Sequence, residues 1–339
     1  MTNEKPIKGV LTMVPTPFDE NGELDLKAFR ENIDYLENTG MHGIVVASSA
    51  GEFYTLKEDE FRKLAATARE SCRNMICVIN CSYQNARTTI GRVKYAEEIG
   101  VDCAMVYPYH YMQVSDPSLY HEYIRVINEA TNHIRFMIIN DPRETKGMTI
   151  TIDMYSKLLK DFPRIAAVVE DVVNASEPNL RTTSTIFLEA GKTASVLARS
   201  EAGMLPGMSL GGKGCLATYG LAIPKFLLRL YDECESKKYD EALKDCQTLI
   251  RYPWQHHAVG INVPGTASTL FPGTFTTLIG NTHMILPTKV GTIFPGTVTI
   301  CKAMAEAAGR RVGNPRLPML PLTQEIKEFA RGWLADIGN

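Results

Sequence analysis

Short apolar runs alternate along this chain with longer stretches in which apolar residues recur every three or four positions. The runs are Gly9–Val14, Gly43–Ala47, Met75–Asn80, Cys103–Val106, Phe136–Ile139, Ile165–Val169, Ser195–Ala198 and Gly214–Thr218. Between them, Leu26–Thr39 sets Phe29, Ile33 and Leu36 at helical spacing and places Gly40 to end the helix. Glu58–Ser71, Ala86–Glu98, Pro117–Ala130 and Ile152–Lys160 read the same way. Alternation of this kind is the signature of repeated βα units, and eight strands suffice to close a (β/α)8 TIM barrel of the α/β class.

The pattern changes after the eighth run. Pro224–Cys234, Tyr239–Ile250, Val298–Ala308 and Thr323–Ile337 predict helices with no strand between them, so the chain divides into a barrel over 1–223 and a C-terminal helical region over 224–339. Inside the second part, residues 252–296 are rich in Gly, Pro and Thr. A structureless loop of that length is uncommon in a compact domain, so the segment is expected to cover something or to meet another subunit. Its Trp254, Phe271, Phe275, Leu278 and Ile285 argue against plain disorder.

Composition narrows the picture without changing it. The 339 residues accommodate a barrel of about 250 residues plus an appendage. A hydrophobic share of 45% and a charged share of 22% supply a large core. The formal charge of -2 gives no electrostatic reason to expect nucleic acid or an anionic membrane. No run approaches the ~20 apolar residues of a membrane span. The first residues, Met1 to Pro6, lack the basic start and apolar core of a signal peptide. Cys72, Cys77, Cys81, Cys103, Cys215, Cys234, Cys246 and Cys301 fall mostly in apolar patterns without metal-ligand spacing, which suits reduced core thiols and a cytoplasmic location. Cys81, at a strand end, is the one that could be reactive. His256-His257 and the distant His283 offer no HxH or HxxxH spacing, so neither a metal nor a cofactor is expected.

Four segments carry a more specific signal: Gly9-Val10-Leu11-Thr12-Met13-Val14-Pro15-Thr16-Pro17-Phe18, Ser48-Ser49-Ala50-Gly51-Glu52, Asn140-Asp141-Pro142, and Pro315-Arg316-Leu317-Pro318-Met319-Leu320-Pro321-Leu322. Their order and spacing resemble the dihydrodipicolinate synthase and N-acetylneuraminate lyase family of Schiff-base aldolases, over residues 1–250 and again over 297–335. The resemblance implies a barrel with C-terminal helices, a small 2-oxo or related carboxylic acid as ligand, and assembly as a homotetramer or homodimer. In that family a lysine on the sixth strand attacks the substrate ketone and a tyrosine on the fifth relays protons. The resemblance places Val169 and Ile139 at those two positions. Neither side chain has a lone pair or a transferable proton, so carbinolamine chemistry is excluded there unless another amine has moved in.

Other residues at the strand ends keep or change the family's chemistry. Ser48, Ser49, Ala50 and Gly51 match its Gly-Thr-Thr-Gly turn, which holds a substrate carboxylate through amides and hydroxyls, and Ser49 keeps a hydroxyl at the relay position; the alternative is an inherited tight turn. Tyr109 matches the first of two adjacent family tyrosines, and His110 takes the place of the second, which crosses a subunit interface. Histidine there is a candidate acid or base. Asn140 precedes a charged segment in which Arg143 or Lys146 could clamp a second carboxylate. If Val169 points into the barrel, strand alternation turns Asp171 inward and Glu170 toward the helices. Arg199 at the seventh strand's end needs Asp171, Glu201 or a bound anion as partner. Lys213 belongs to the turn into the eighth strand, at the barrel's opposite end.

Two functions of different class follow. One is a lyase-like enzyme that kept the carboxylate site and works by acid-base chemistry, with His110, Asp171 and Ser49 as catalytic groups and Ser48, Ala50, Gly51, Tyr109, Asn140, Arg143 and Arg199 as binding groups. The other is a non-catalytic acid sensor or scaffold. An aldolase with a relocated lysine, Lys146, is the third reading.

Overall fold

In a computed structural model of the chain, the structure describes residues 5–108, 114–141, 145, 149–170, 177–261, 286–288, 291–293 and 297–338. Side chains are described throughout these segments except over 177–182, 251–261, 286–288 and 291–293. Eight parallel strands close in chain order: β1 (Gly9–Met13), β2 (Gly43–Val46), β3 (Ile76–Asn80), β4 (Cys103–Val106), β5 (Phe136–Asn140), β6 (Ile165–Glu170), β7 (Ser195–Ala198) and β8 (Gly214–Ala217). β8 returns to β1 with Gly214 beside Gly9, where a Cβ on Gly214 would lie 2.0 Å from the Gly9 carbonyl oxygen. Only glycine closes the ring at that spacing.

Strand alternation sorts side chains into two apolar clusters. Leu11, Met13, Val45, Val78, Met105, Met137, Ile139, Ala167, Val169, Leu197 and Leu216 pack within the barrel. Val10, Ile44, Ile79, Ala104, Ile138, Val168 and Val196, one position away, pack against the helices. Each fully buried side chain of this size contributes about 1.5–3 kcal/mol, so a one-residue slip of any strand would exchange both layers.

The surrounding helices start and stop where local chemistry dictates. Asp25 accepts the Ala28 N–H at 2.9 Å to open Leu26–Thr39, and Gly40 ends it in a left-handed turn. Asn85 opens Ala86–Glu98 through the Thr88 N–H, and Thr151 opens Ile152–Asp161 through the Met154 N–H. The helix expected over Pro117–Ala130 is three consecutive pieces, Asp116–Ser118, a π turn over Leu119–Ile124, and Arg125–Glu129. Two helices escaped the sequence pattern, Glu177–Ala190 and Met204–Ser209. The first carries Pro178 and the run Thr182-Thr183-Ser184-Thr185, and the second is short and contains Pro206 and Gly207, all weak helix formers.

The C-terminal region consists of Pro224–Glu235, Tyr239–Ile261, Thr297–Ala307 and Gln324–Ile337. Tyr239–Ile261 runs eleven residues beyond the expected end at Ile250, because apart from Pro253 the residues from Arg251 to Ala258 are compatible with a helix and the Gly and Thr content rises only afterwards. Later in the same segment Leu286–Thr288 (β9) and Gly291–Ile293 (β10) pair antiparallel. Trp333 seats the last helix on Tyr219 at the exit of β8, with ring centroids 4.8 Å apart. No helix among the described residues is long and apolar enough to cross a membrane.

Candidate active site

The chain leaves every strand at the C-terminal rim of the barrel, where polar residues first become compatible with burial. The turn after β2 is tightly made. Ala47 and Glu52 are both left-handed, and Gly51 packs closely, since a Cβ there would sit 3.1 Å from the Val14 carbonyl oxygen, tighter than most side chains accept. The Gly51 N–H donates to the Ser48 carbonyl at 3.0 Å, the Glu52 N–H to the Ser49 carbonyl at 3.2 Å, and the Phe53 N–H to the Ser48 carbonyl at 3.3 Å. The Thr16 hydroxyl donates to the Gly51 carbonyl at 2.6 Å. Among the described residues, no acceptor takes the Ser49 or Ala50 N–H. Two successive amides left open in a turn form a concavity suited to an anion. Ser48 spends its Oγ within the turn, on the Gly51 N–H at 3.3 Å, while Ser49 is half-buried.

Glu52 does not face this concavity. Its carboxylate forms a fully buried ion pair with Lys302 at 2.7 Å and accepts the Arg316 N–H at 2.9 Å. Lys302 also donates to the Asn314 carbonyl at 3.0 Å and lies over the Phe18 ring. Burial holds its pKa below the usual lysine value, against the neighbouring carboxylate, which raises it. The motif's glutamate thus ties the C-terminal helix Thr297–Ala307 to the rim.

Across the mouth, Ile139, Val169 and Leu197 lie side by side on β5, β6 and β7, all fully buried within the barrel. Asp141 and Arg199 follow two residues beyond Ile139 and Leu197, and Arg199 Nε donates to Asp141 Oδ2 at 2.7 Å. The two side chains are 7% and 0% exposed. Two strand residues rise roughly 6.6 Å and β5 and β7 stand about 9–10 Å apart, so this pair bridges the end of β6 above Val169.

The expectation for Glu170 holds in its geometry. Facing outward, its carboxylate accepts from Asn140 Nδ2 at 2.9 Å and from the Tyr155 hydroxyl at 3.4 Å. That carboxylate, together with burial as the larger cause, pushes the Tyr155 pKa well above the ordinary tyrosine value. Asn140, expected as a binding group, is turned to the framework, since its Oδ1 also accepts the Ile150 N–H at 3.1 Å; as the outward residue beside Ile139 it cannot face the mouth. Glu201, considered as a partner for Arg199, accepts the Thr218 and Tyr219 N–H groups at 3.0 and 3.1 Å. Burial raises its pKa, and those amides and Arg199 oppose the rise. The partner that the sequence reading missed is Asp141. The same alternation that placed Asp171 would have found it, because Asp141 stands two residues after the inward Ile139.

Tyr107 lies within the barrel, its N–H on Ser82 Oγ at 2.8 Å and its ring stacked on Phe53. Tyr109, His110, Arg143, Lys146 and Asp171 lie outside the described residues, as does His283 and as do the side chains of His256 and His257. Cys81 is not a reactive thiol in this setting. It is fully buried, and burial drives its pKa far up.

Fold and rim together define a (β/α)8-barrel protein of the aldolase architecture, with an amide concavity on one side of the mouth and a buried guanidinium on the other. The chain belongs to the Dihydrodipicolinate synthetase family, whose profile matches residues 6–255. It is 27% identical over 248 residues to an uncharacterized DapA-like lyase of Thermococcus kodakarensis, covering 72% of this chain and 82% of that protein. It is 30% identical over 244 residues to a 4-hydroxy-tetrahydrodipicolinate synthase of Rickettsia bellii, covering 72% and 80%. Among solved structures, YagE, a prophage protein of the dihydrodipicolinic acid synthase family from E. coli K12 in complex with pyruvate, matches with a TM-score of 0.79 at 22% identity, over 98% of this chain and 99% of that one. CdNal from Clostridium difficile in complex with mannosamine matches with a TM-score of 0.78 at 18% identity, over 98% and 100%. Both structural likenesses extend through the C-terminal helices, beyond the reach of the family profile.

Proposed function

We propose that the protein is a lyase-like member of this family that binds a small 2-oxo or related carboxylic acid and acts on it by acid-base chemistry without a Schiff base. The observation that carries the reading is the Ile139–Val169–Leu197 layer, which is apolar, fully buried and bridged by Arg199 and Asp141. In it Val169 and Ile139 stand where the family's lysine and tyrosine are expected. The acid's carboxylate would sit on the Ser49 and Ala50 amides, beside the Ser49 hydroxyl, with Tyr109 as a further binding group. His110 and Asp171 would move protons, and Arg143 and Arg199 would hold further negative charge. The family consists generally of enzymes, and its pyruvate-bound member from E. coli supports a 2-oxo acid as ligand class.

The same apolar layer favours a second reading, a sensor that binds the acid without turnover. Thermal stabilisation by pyruvate together with product formation from a panel of 2-oxo acids supports the enzyme; stabilisation with no product supports the sensor. Borohydride in the presence of pyruvate is expected to leave the mass of the chain unchanged. A stable pyruvyl adduct would overturn the proposal, and its position by peptide mapping would show whether Lys146 has taken over the lysine's role.

A further inference from the structure

The Arg199–Asp141 pair is a guanidinium already holding a carboxylate inside the rim of the barrel. Arginine presents a planar fork of donors matched to a carboxylate, and a charge-assisted bond to it is about twice as strong as a neutral one. With Nε on Asp141 Oδ2 at 2.7 Å, and both groups withdrawn from water, the contact is of that kind. A second anion-receptive place, the Ser49 and Ala50 amides, lies after β2. The ladder runs β2-β1-β8-β7, so three strand spacings separate the two places, roughly 14 Å along the wall and less across the mouth. The guanidinium, held on Asp141 over the end of β6, faces β2 from across the mouth.

We propose that the ligand is a dicarboxylate, one carboxylate on the Ser49–Ala50 amides and the other in the position on Arg199 that Asp141 holds when the site is empty. Asp141 is then a specificity-determining residue and an internal competitor. A monocarboxylic acid seated on the amides leaves the pair closed and gains nothing from Arg199. Only an acid with a second negative group offsets the separation of Arg199 from Asp141. This inference rests on the acid-binding reading and names its ligand class.

The test is calorimetric titration of the full chain with malonate, succinate, glutarate and 2-oxoglutarate against acetate, butyrate and pyruvate, for wild type, Asp141→Asn and Arg199→Gln. In wild type the best dicarboxylate is expected to bind about tenfold or more tightly than any monocarboxylate. Asp141→Asn is expected to tighten dicarboxylates by about another tenfold and to leave monocarboxylates within about threefold, and Arg199→Gln to erase the preference. Equal affinity for both classes in wild type, or weaker dicarboxylate binding in Asp141→Asn, overturns the proposal; the second result would mark Asp141 as a residue that merely positions Arg199. If Asp141→Asn does not fold, Asp141→Ser replaces it, and the wild-type and Arg199→Gln comparisons still decide. Monocarboxylate binding without a dicarboxylate preference removes this inference and leaves the acid-binding reading standing. Failure of every acid to bind wild type removes both.

Discussion

His42 stands at the N-terminal end of the barrel, its Nδ1 accepting the Val10 N–H at 3.1 Å and its ring 4.7 Å from that of Tyr231. An acceptor nitrogen must be unprotonated. Burial lowers the His42 pKa from its ordinary 6.5, with Asp232 opposing and Lys8 assisting. Above 6.5 the histidine is neutral in both folded and unfolded chains and its contribution to stability is complete. Below that value the unfolded chain takes up the proton first, so stability falls with pH and levels off once the folded histidine also titrates. Urea denaturation at pH 7.5 and 5.5 is expected to show a larger loss for wild type than for His42→Asn, whose side-chain oxygen can accept the Val10 N–H at either pH; equal losses would remove the argument. Arg199 makes the opposite kind of contribution. Arg199→Ala leaves the Asp141 carboxylate buried without its guanidinium and is expected to cost about 3–5 kcal/mol in denaturant unfolding, and a loss below about 1 kcal/mol would mean that the pair is worth little. With Val169 set inward by the family resemblance, strand alternation placed Glu170 toward the helices, and both placements appear in the structure. The same alternation puts Asp141 on the inward side, but that Arg199 pairs with it was not legible, because the bond joins residues 58 apart over an intervening strand and depends on how three strands are aligned.

Among the elements, strands and their flanking helices were readable because short apolar runs and helical spacing are local properties. β4 and β7 occupy the expected residues, and the other strands differ from expectation by one residue at one end. The role of Thr297–Ala307 was not readable, since nothing local to the Lys302 segment points to Glu52. That ion pair has a measurable signature. Lys302→Met strands a buried carboxylate and is expected to destabilise the fold by about 3–5 kcal/mol, whereas Lys302→Met with Glu52→Gln should recover much of the loss, because replacing a whole buried pair by uncharged groups costs far less than halving it. Thermal or denaturant unfolding of the two single variants and the double variant gives the coupling directly; additive losses would show that the two residues do not act as a pair.

For the whole molecule, the sequence read the architecture but stopped short of the chemistry, since the barrel is common to reactions that differ only at the rim. Installing lysine and tyrosine where the family resemblance expects them is a direct test of the proposed reading. In Val169→Lys with Ile139→Tyr the new ammonium enters beneath Arg199, whose like charge disfavours it and at the same time lowers its pKa toward a reactive amine. An imine with pyruvate is expected to become trappable by borohydride, while condensation with aspartate semialdehyde stays undetectable; efficient dihydrodipicolinate synthesis would show that the rim suits that reaction. Assembly is the second property of this scale. The family resemblance carries the expectation that copies of the chain associate. Light scattering at micromolar concentration is expected to give a multiple of 37.7 kDa, and a single species at that mass would contradict it.

The clasp between Glu52 and the far end of the chain also orders events in time. The turn that carries the Ser49 and Ala50 amides leaves the ribosome within the first sixth of the sequence, yet Lys302 and Arg316, which hold its neighbour Glu52, emerge only in the last. Until then a carboxylate destined for complete burial stays hydrated, and the turn lacks the anchor that fixes its shape. A nascent chain can therefore lay down its strands in order while its rim stays unfinished, and the rim matures only when synthesis is nearly over.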